Sequence, residues 1–151
     1  TGVQTCALPI FERAPRAVAR ALGSTQTLRV RRLNLADGEP FAIVTVWCAA
    51  DLAQNLSRAD VERSPFYELL DVPLSGATQT IGADAATPEE ATLLGVPAGS
   101  PVLRCERVTS GTDGRTVLVS RHVFPAHRTE FVVDLPFADQ SIAPSGLRLV
   151  D

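Results

Sequence analysis

Two β-rich runs on either side of a short turn segment limit the folds open to this chain. The runs are Thr27 to Leu35 and Phe41 to Cys48, and the segment Ala36-Asp-Gly-Glu-Pro40 lies between them. Turn-forming residues between two strand-like runs predict a β-hairpin, whose two strands are antiparallel. Single strands do not alternate with helices along the rest of the chain, so a parallel, doubly wound sheet is not expected.

Further strand-like runs extend this sheet. Val102–Ser110 and Thr116–Phe124 flank a Gly-Thr-Asp-Gly turn, which predicts a second hairpin. Ala77–Ala85 has a weaker strand pattern, and Arg128–Leu135 alternates between two faces. The sequence therefore predicts about six strands.

Short helices are predicted between the strands. Ala14–Leu22 is a helical segment that ends at Gly23, and Asp51–Arg63 is a loop with one or two helical turns. The next helix is predicted to begin at Ser64 as its N-cap, with Pro65 in the first helical position.

The segment from Thr87 to Gly95 predicts one complete short helix. Thr87 and Glu90 are spaced for a capping box, Pro88 takes the first helical position, and Gly95 ends the helix. A helix this short is marginal in water, so we expect it to pack its leucines on the sheet. The predicted fold class is α+β, an antiparallel sheet of about six strands with short helices packed on it.

Composition excludes several classes of function. The net charge of −3 provides no basic field to attract nucleic acid, and we expect negligible DNA affinity from this chain alone. No apolar run is long enough to span a membrane. Cys6, Cys48 and Cys105 lack metal-ligand spacing and fit a reducing compartment. We therefore expect a cytoplasmic protein with no metal, cofactor or membrane partner.

The N-terminal residues TGVQTCALPI match poorly with the rest of the chain, and the sequence contains no Met. We interpret the chain as an N-terminally truncated reading frame. Residues 1–13 are assigned to a non-native or truncated leader, residues 14–136 to the folded domain, and residues 137–151 to a C-terminal tail.

The order of several motifs resembles a known family. ADGEP in the first turn is followed by SPFYELL, then by EEATLLGVPAGSPVL, and finally by a segment ending in RTEF. From about Ala14 to Leu135 this order resembles the UTRA domain, the effector-binding domain of HutC-type GntR transcriptional regulators. The resemblance implies a chorismate-lyase-like fold and a place C-terminal to a winged helix-turn-helix domain, for which this chain has no room.

The resemblance also implies a function, that of a sensor in a homodimeric regulator. Its effector would be a small acidic or phosphorylated metabolite, and it would contact DNA only through the absent domain. Two alternatives stay open: a chorismate-lyase-like enzyme on the same fold, and a pure dimerisation domain with a filled cavity. The sequence has no nucleophile elbow, phosphate-cradling glycine loop or metal spacing, which favours the sensor.

An effector site between the sheet and the helix near Ser64 is implied by several relatives. An Arg-x-Arg of phosphosugar-binding relatives falls on Arg32 and Asn34, a phosphate-holding Ser falls on Pro65, and their Tyr is kept as Tyr67. Other polar contacts are replaced by Val44, Leu118 and Phe124. We therefore expect a smaller or more apolar anion than a phosphosugar. The predicted ligand-binding residues are Arg32, Asn34, Val44, Ser64, Phe66, Tyr67, Leu118, Ser120, His122 and Phe124.

Strand alternation supports a role for Arg32 independently of the resemblance. Arg32 shares a strand face with Leu28 and Val30, and a guanidinium among apolar residues needs an anionic partner. That partner is either a ligand or an internal carboxylate, for which Glu106 and Asp84 are the candidates.

Each of the other candidates has a structural alternative. The start of the Ser64 helix either attracts an anion or is capped by the Ser64 hydroxyl. Tyr67 either donates its hydroxyl to a ligand or only packs. His122 shares a strand face with Ser120 and either contacts an acidic group or faces solvent. Trp47 is expected in the core or at a dimer contact.

Overall fold

The chain folds around a six-stranded sheet whose strands are all antiparallel to their neighbours, in the order β1-β2-β3-β6-β5-β4. The structure, a computed structural model, describes residues 8–134 and 148–150. The predicted α+β fold class is thereby confirmed. The strands are β1 (Leu8–Arg13), β2 (Gln26–Ala36), β3 (Glu39–Ala49), β4 (Leu74–Ala85), β5 (Pro101–Gly111) and β6 (Thr116–Pro125).

Five short helices and one 3₁₀ turn connect the described strands. No helix among residues 8–134 and 148–150 is long and apolar enough to cross a membrane. The helices are α1 (Arg16–Leu22), α2 (Ala50–Ala53), α3 (Arg58–Arg63), α4 (Phe66–Leu69) and α5 (Pro88–Leu94), and the 3₁₀ turn is Ala126–Arg128.

Both predicted hairpins are confirmed, and their turns show why they form. Asp37 and Gly38, the two residues between β2 and β3, have φ values of 52° and 80°. Positive φ at both positions is the signature of a type I′ turn, whose twist matches that of the flanking strands. In the β5–β6 hairpin the Gly111 amide donates to the Arg115 carbonyl at 2.8 Å.

The capped helix is formed as its residues predict. The Glu90 amide donates to the Thr87 hydroxyl at 3.2 Å, and the Thr87 amide donates to the Glu90 carboxylate at 2.9 Å. Gly95 ends the helix in the left-handed conformation, with φ of 67°. The helix buries Ala91 and Leu94 against the sheet, and the expected packing role is thereby confirmed.

The helices cover the two faces of the sheet in separate groups. On one face, here called the α1/α5 face, α1 packs on Trp47 and Val119 and α5 packs on Ile43 and Val123. On the other face, the α2–α4 face, the three helices α2 to α4 bury a cluster of apolar residues. That cluster includes Leu28, Val30, Cys48, Ala53, Val61, Phe66, Leu70 and Leu118.

The strand predicted at Arg128–Leu135 is wrong for its described part. Residues 129–134 have no regular structure, and Arg128 lies in the 3₁₀ turn. The segment comes after β6, which already pairs with β3 and β5, so no free edge lies within reach of a short connection. The sixth strand is instead β1, within the stretch that the sequence assigned to a leader.

Candidate functional site

The strand register places the candidate residues on one face of the sheet. Arg32 lies opposite Val44, Val44 lies opposite His122, and His122 lies opposite Cys105. Residues directly opposite each other in an antiparallel ladder point to the same face. Leu28 and Val30 bury their side chains under α2 to α4, so this is the α2–α4 face.

A cavity of about 180 Å³ lies between this face and the helices. It holds about six water molecules' worth of liquid, enough for a small metabolite. Its floor comes from β2, β3, β5 and β6, and its cover comes from the start of α4. The residues lining it are Arg32, Val44, Val46, Pro65, Phe66, Tyr67, Arg107, Thr109, Leu118, Ser120 and His122.

Arg32 is held in place by main-chain carbonyls instead of carboxylates. Its guanidinium donates to the Val61 carbonyl and, at 3.2 Å, to the Ser64 carbonyl. Its Nε is buried and has no hydrogen-bond partner. Burial lowers the pKa of Arg32, and the nearby Tyr67 opposes this effect. A half-buried guanidinium that lines a cavity and has no carboxylate partner among the described residues is suited to an anion.

The structure does not support the alternative in which Glu106 or Asp84 is the internal partner of Arg32. Glu106 contacts Arg121 at 2.8 Å, and Asp84 contacts Arg104 at 2.9 Å. Glu106 lies opposite Arg121, which lies opposite Thr45 in the ladder, so it shares a face with Arg31 and not with Arg32. Both carboxylates therefore lie on the α1/α5 face.

Arg107, a lining residue that the sequence analysis missed, faces the cavity from β5. Its Nε and one terminal nitrogen donate to the Gln79 side-chain oxygen at 3.0 and 2.6 Å. Gln79 is neutral, so it orients the guanidinium without cancelling its charge. The signal that could have found Arg107 is the hairpin register, which sets it opposite the candidate Ser120.

His122 and Ser120 form the polar part of the cavity floor. The His122 Nε2 lies 3.3 Å from the Ser120 hydroxyl, and the imidazole stacks on Phe124 with ring centroids 5.8 Å apart. Burial lowers the pKa of His122, and the nearby Arg107 lowers it further. The imidazole is therefore neutral at pH 7, where it is able to donate or accept one hydrogen bond.

Seven of the ten predicted residues line the cavity, and Asn34, Ser64 and Phe124 do not. Asn34 lies opposite Ala42, beyond Arg32 on the same strand. Phe124 supports His122 from the side and meets Phe131 edge-on, with ring centroids 5.5 Å apart.

The prediction that Ser64 caps the next helix is also wrong. Ser64 is the C-cap residue of α3, and α4 begins at Phe66 with Pro65 as its N-cap. The cause is the capping box of α3, in which Ser57 and Asp60 satisfy each other and start the helix early. The Ser64 carbonyl accepts a hydrogen bond from Arg32, so Ser64 helps to position that guanidinium without lining the cavity itself.

Phe66 and Tyr67, at the start of α4, differ in their surroundings. Phe66 is buried in the core cluster, whereas Tyr67 is 61% exposed at the mouth of the cavity. Phe66 therefore packs in the core, and Tyr67 does not. Tyr67 leaves its hydroxyl available to a molecule that enters the cavity.

A larger cavity, of about 510 Å³, opens on the α1/α5 face. Its strand arginines are neutralised within the chain: Arg31 contacts Glu89, Arg104 contacts Glu90, and Arg121 contacts Glu106. Arg121 also lies over Trp47, 5.2 Å from the ring centroid. We regard the smaller cavity as the candidate site because its two arginines have no carboxylate partner within the described part of the chain.

Neither face holds a recognisable metal site. Within residues 8–134 and 148–150, no group of three or more His, Cys, Asp and Glu side chains is placed to bind a metal ion. Of the described residues that line the smaller cavity, none is a carboxylate. The chemistry available there is the binding of a negatively charged group beside apolar walls.

Comparison with known proteins identifies the fold family. Residues 11–130 match the UTRA domain. The chain belongs to the UTRA domain family. A curated relative, the HTH-type transcriptional regulator Rv0792c of Mycobacterium tuberculosis, is 28% identical over 145 residues, which cover 91% of this chain and 53% of the relative. This UTRA chain thus spans about half the length of the curated relatives that it matches.

Solved structures give the same family and fold. A protein described as a transcriptional regulator from Streptomyces coelicolor is 34% identical, with a TM-score of 0.79, over 86% of this chain and 91% of that one. The ligand-binding domain of a GntR-family regulator from Bordetella bronchiseptica is 26% identical, with a TM-score of 0.80, over 89% of each chain. The Bordetella bronchiseptica neighbour is thus described as a ligand-binding domain, and the Streptomyces coelicolor neighbour as a transcriptional regulator.

Proposed function

We propose that this UTRA domain is the effector-sensing part of a GntR-family regulator of the HutC type, and that the α2–α4 face cavity binds its effector. The observation that carries the proposal is the pair of cavity arginines, Arg32 and Arg107, for which the described residues supply no carboxylate. Two arginines at one cavity, with no carboxylate partner among the described residues, support an anion site in a domain of this family.

The effector is a small acidic metabolite with an apolar part. Val44, Val46 and Leu118 form apolar walls of this cavity of about 180 Å³. Ser120 and Thr109 supply hydroxyls among the described residues of its floor. A metabolite with this chemistry gains both an ion pair and apolar burial.

DNA is contacted through another domain of the regulator and not through this chain. The net charge is −3, and the strand arginines on the α1/α5 face are neutralised by carboxylates. The relatives described as regulators are about twice as long as the matched region, which leaves length for such a domain in them. The regulator acts in the cytoplasm, where its DNA target is found.

A second copy of the chain pairs with this one through the outer edge of β4. All twelve residues of β4 are exposed or half-buried on both faces, and β4 has β5 as its neighbour on one side. The strand contains a single charged residue, Asp84, so it carries little of the charge with which edge strands normally prevent pairing. The homodimer also gives the sensor a two-state element that an effector is able to bias.

The enzyme alternative is disfavoured by the cavity chemistry. A lyase needs a group that takes up or delivers a proton, and among the described lining residues only His122 titrates near neutral pH. The pKa of His122 is lowered by burial, and its neighbours are Arg107 and Ser120 instead of an orienting carboxylate. The relatives are described as transcriptional regulators, which agrees with a sensor.

One experiment tests the sensor against the enzyme. The chain is screened by thermal shift and calorimetry against a set of short carboxylic acids and phosphate monoesters, and it is incubated with chorismate while ultraviolet absorbance reports conversion. We expect saturable binding of an acid, lost in Arg32→Gln, and no conversion of chorismate. Catalytic turnover of chorismate, or uniform failure of every acid to bind, would refute the proposal.

A further inference from the structure

The arginines of the central sheet fall into two groups. In β2, β5 and β6, Arg29, Arg31, Arg104 and Arg121 each contact a carboxylate within 2.9 Å. The described structure shows no ion pair for Arg32 or Arg107, and these two line the same cavity. Arg32 is half-buried and Arg107 is exposed at the cavity, so both guanidiniums are available to an acidic ligand.

The two guanidiniums reach the cavity from opposite sides. Arg32 lies on β2 and Arg107 on β5, with β3 and β6 between them in the sheet. Three inter-strand steps separate the two backbones by about 14 Å. Arg107 is aligned with Ser120, Val46 and Val30 in the ladder, two residues from the row of Arg32. Gln79, on β4, holds the Arg107 guanidinium on the side of β5 that is farther from β2. One acidic group is therefore poorly placed to contact both side chains.

The floor between the two arginines has an apolar part on β3 and an edge of β6, beside the polar Ser120 and His122. Val44 and Val46 lie on β3, and Leu118 lies beside them on β6, all facing the cavity. Val44 is 8% exposed and Leu118 is 7% exposed, so both already belong to the dry part of the sheet. A hydrocarbon segment is stabilised above such residues.

We propose that the effector carries two acidic groups at opposite ends of a short apolar chain, with one group bound by Arg32 and the other by Arg107. This inference rests on the proposed function, because it assigns the chemistry of the same cavity. Gln79 acts as a positioning residue, since it fixes the Arg107 guanidinium by two hydrogen bonds and is not among the described residues that line the cavity. A dianion whose charges are separated matches this arrangement of the two cations.

Calorimetry of the 151-residue chain at pH 7.5 tests the inference with matched acids. The dianions with separated charges are succinate, glutarate and adipate, and the monoanions of equal carbon number are butyrate, valerate and hexanoate. Propyl phosphate serves as a dianion whose charges lie at one end. We expect one of the diacids to bind at least about tenfold more tightly than its matched monoacid, since one charged hydrogen-bonding contact separates them.

The variants assign this preference to a residue. Arg107→Gln is expected to lower diacid affinity about tenfold and to leave monoacid affinity within about twofold. Gln79→Leu is expected to produce a smaller loss of the same kind. The control is Arg20→Gln, an exposed arginine of α1, which should change neither affinity.

The outcomes separate this inference from the proposed function. Equal binding of diacids and monoacids, tighter binding of propyl phosphate than of any diacid, or an Arg107→Gln variant that behaves like Arg20→Gln would overturn the two-ended effector and leave the acid sensor standing. If no acid binds and Arg32→Gln changes nothing, the proposed function falls, and the inference falls with it.

Discussion

The Arg32 guanidinium donates a hydrogen bond to the main-chain carbonyl of Val61 and so ties strand β2 to helix α3. The same side chain donates to the Ser64 carbonyl, where α3 ends and the chain turns into α4. The residue proposed to bind the effector is therefore also the residue that holds the cover of the cavity. An effector that binds Arg32 would compete with these hydrogen bonds and so change the position of α3 and α4.

The first prediction concerns Arg32 itself. Arg32→Gln removes the charge and is expected to lower acid affinity at least about tenfold, since a charged hydrogen bond is lost. Arg32→Lys keeps the charge but loses the planar fork, so its affinity should lie between those of the wild type and Arg32→Gln. Calorimetry with glutarate measures both, and thermal melting checks that each variant is folded. Wild-type affinity in Arg32→Gln would contradict the assignment.

The second prediction compares two neighbouring glutamates of α5. Glu90 closes the capping box and accepts from Arg104 through both carboxylate oxygens, at 2.7 and 2.9 Å. Its side chain is 14% exposed, whereas that of Glu89 is 68% exposed. Glu90→Gln is expected to lower the free energy of unfolding by about 1–3 kcal/mol. Glu89→Gln is the control, and its effect in urea denaturation should stay below about 1 kcal/mol.

The third prediction concerns pH and His122. The pKa of His122 is lowered in the folded chain, first by burial and then by Arg107. Unfolding returns the pKa toward its ordinary value near 6.5, so the unfolded chain binds more protons as the pH falls below about 6.5. The contribution of His122 to stability is therefore complete above that pH and is lost below it, by about 1.4 kcal/mol for each unit of pKa difference.

Urea denaturation at pH 7.5 and pH 5.5 measures this effect. His122→Gln should lose less stability between the two pH values than the wild type does. The exposed His127 provides the control, and His127→Gln should behave like the wild type. A variant at position 122 that keeps the full wild-type pH dependence would show that another group is responsible.

The fourth prediction concerns the edge of β4. Ile81 is 42% exposed in the middle of this strand, and a charge placed there should prevent edge-to-edge pairing. We expect light scattering to give the wild type a mass of twice 16.1 kDa and Ile81→Lys a mass near 16.1 kDa. Gln26→Lys, an exposed position at the start of β2, should remain dimeric. A wild-type monomer, or a dimeric Ile81→Lys, would rule out this interface.

Local signals explain the parts of the fold that the sequence predicted correctly. The Asp37-Gly38 turn and the capping box of Thr87 with Glu90 are each complete within a few residues, so propensity and hydrogen bonding decide them without help from the rest of the chain. The same is true of Gly23, whose left-handed conformation ends α1. Seven of the predicted site residues line one cavity because strand alternation and one register place them there.

The errors arise where distant segments decide the outcome. Whether an alternating segment becomes a strand depends on a free neighbouring edge, which β2 offers to Leu8–Arg13 and which β6 does not offer to residues 129–134. Arg107 escaped notice because its place beside the cavity depends on the pairing of β5 with β6. The alternative of an internal partner for Arg32 stayed open in the sequence for the same reason, since only the register shows on which face Glu106 lies.

The most direct test of an acid-binding cavity on the α2–α4 face is a nuclear magnetic resonance titration of the ¹⁵N-labelled chain with glutarate. The account predicts chemical-shift changes at Val44, Val46, Ser120 and His122 and at the Arg107 side chain. The chemical shift of the Trp47 indole N–H, on the opposite face, should not change. Shifts confined to Trp47 and its neighbours, or no saturable shift anywhere while a second short diacid also fails, would contradict the central claim.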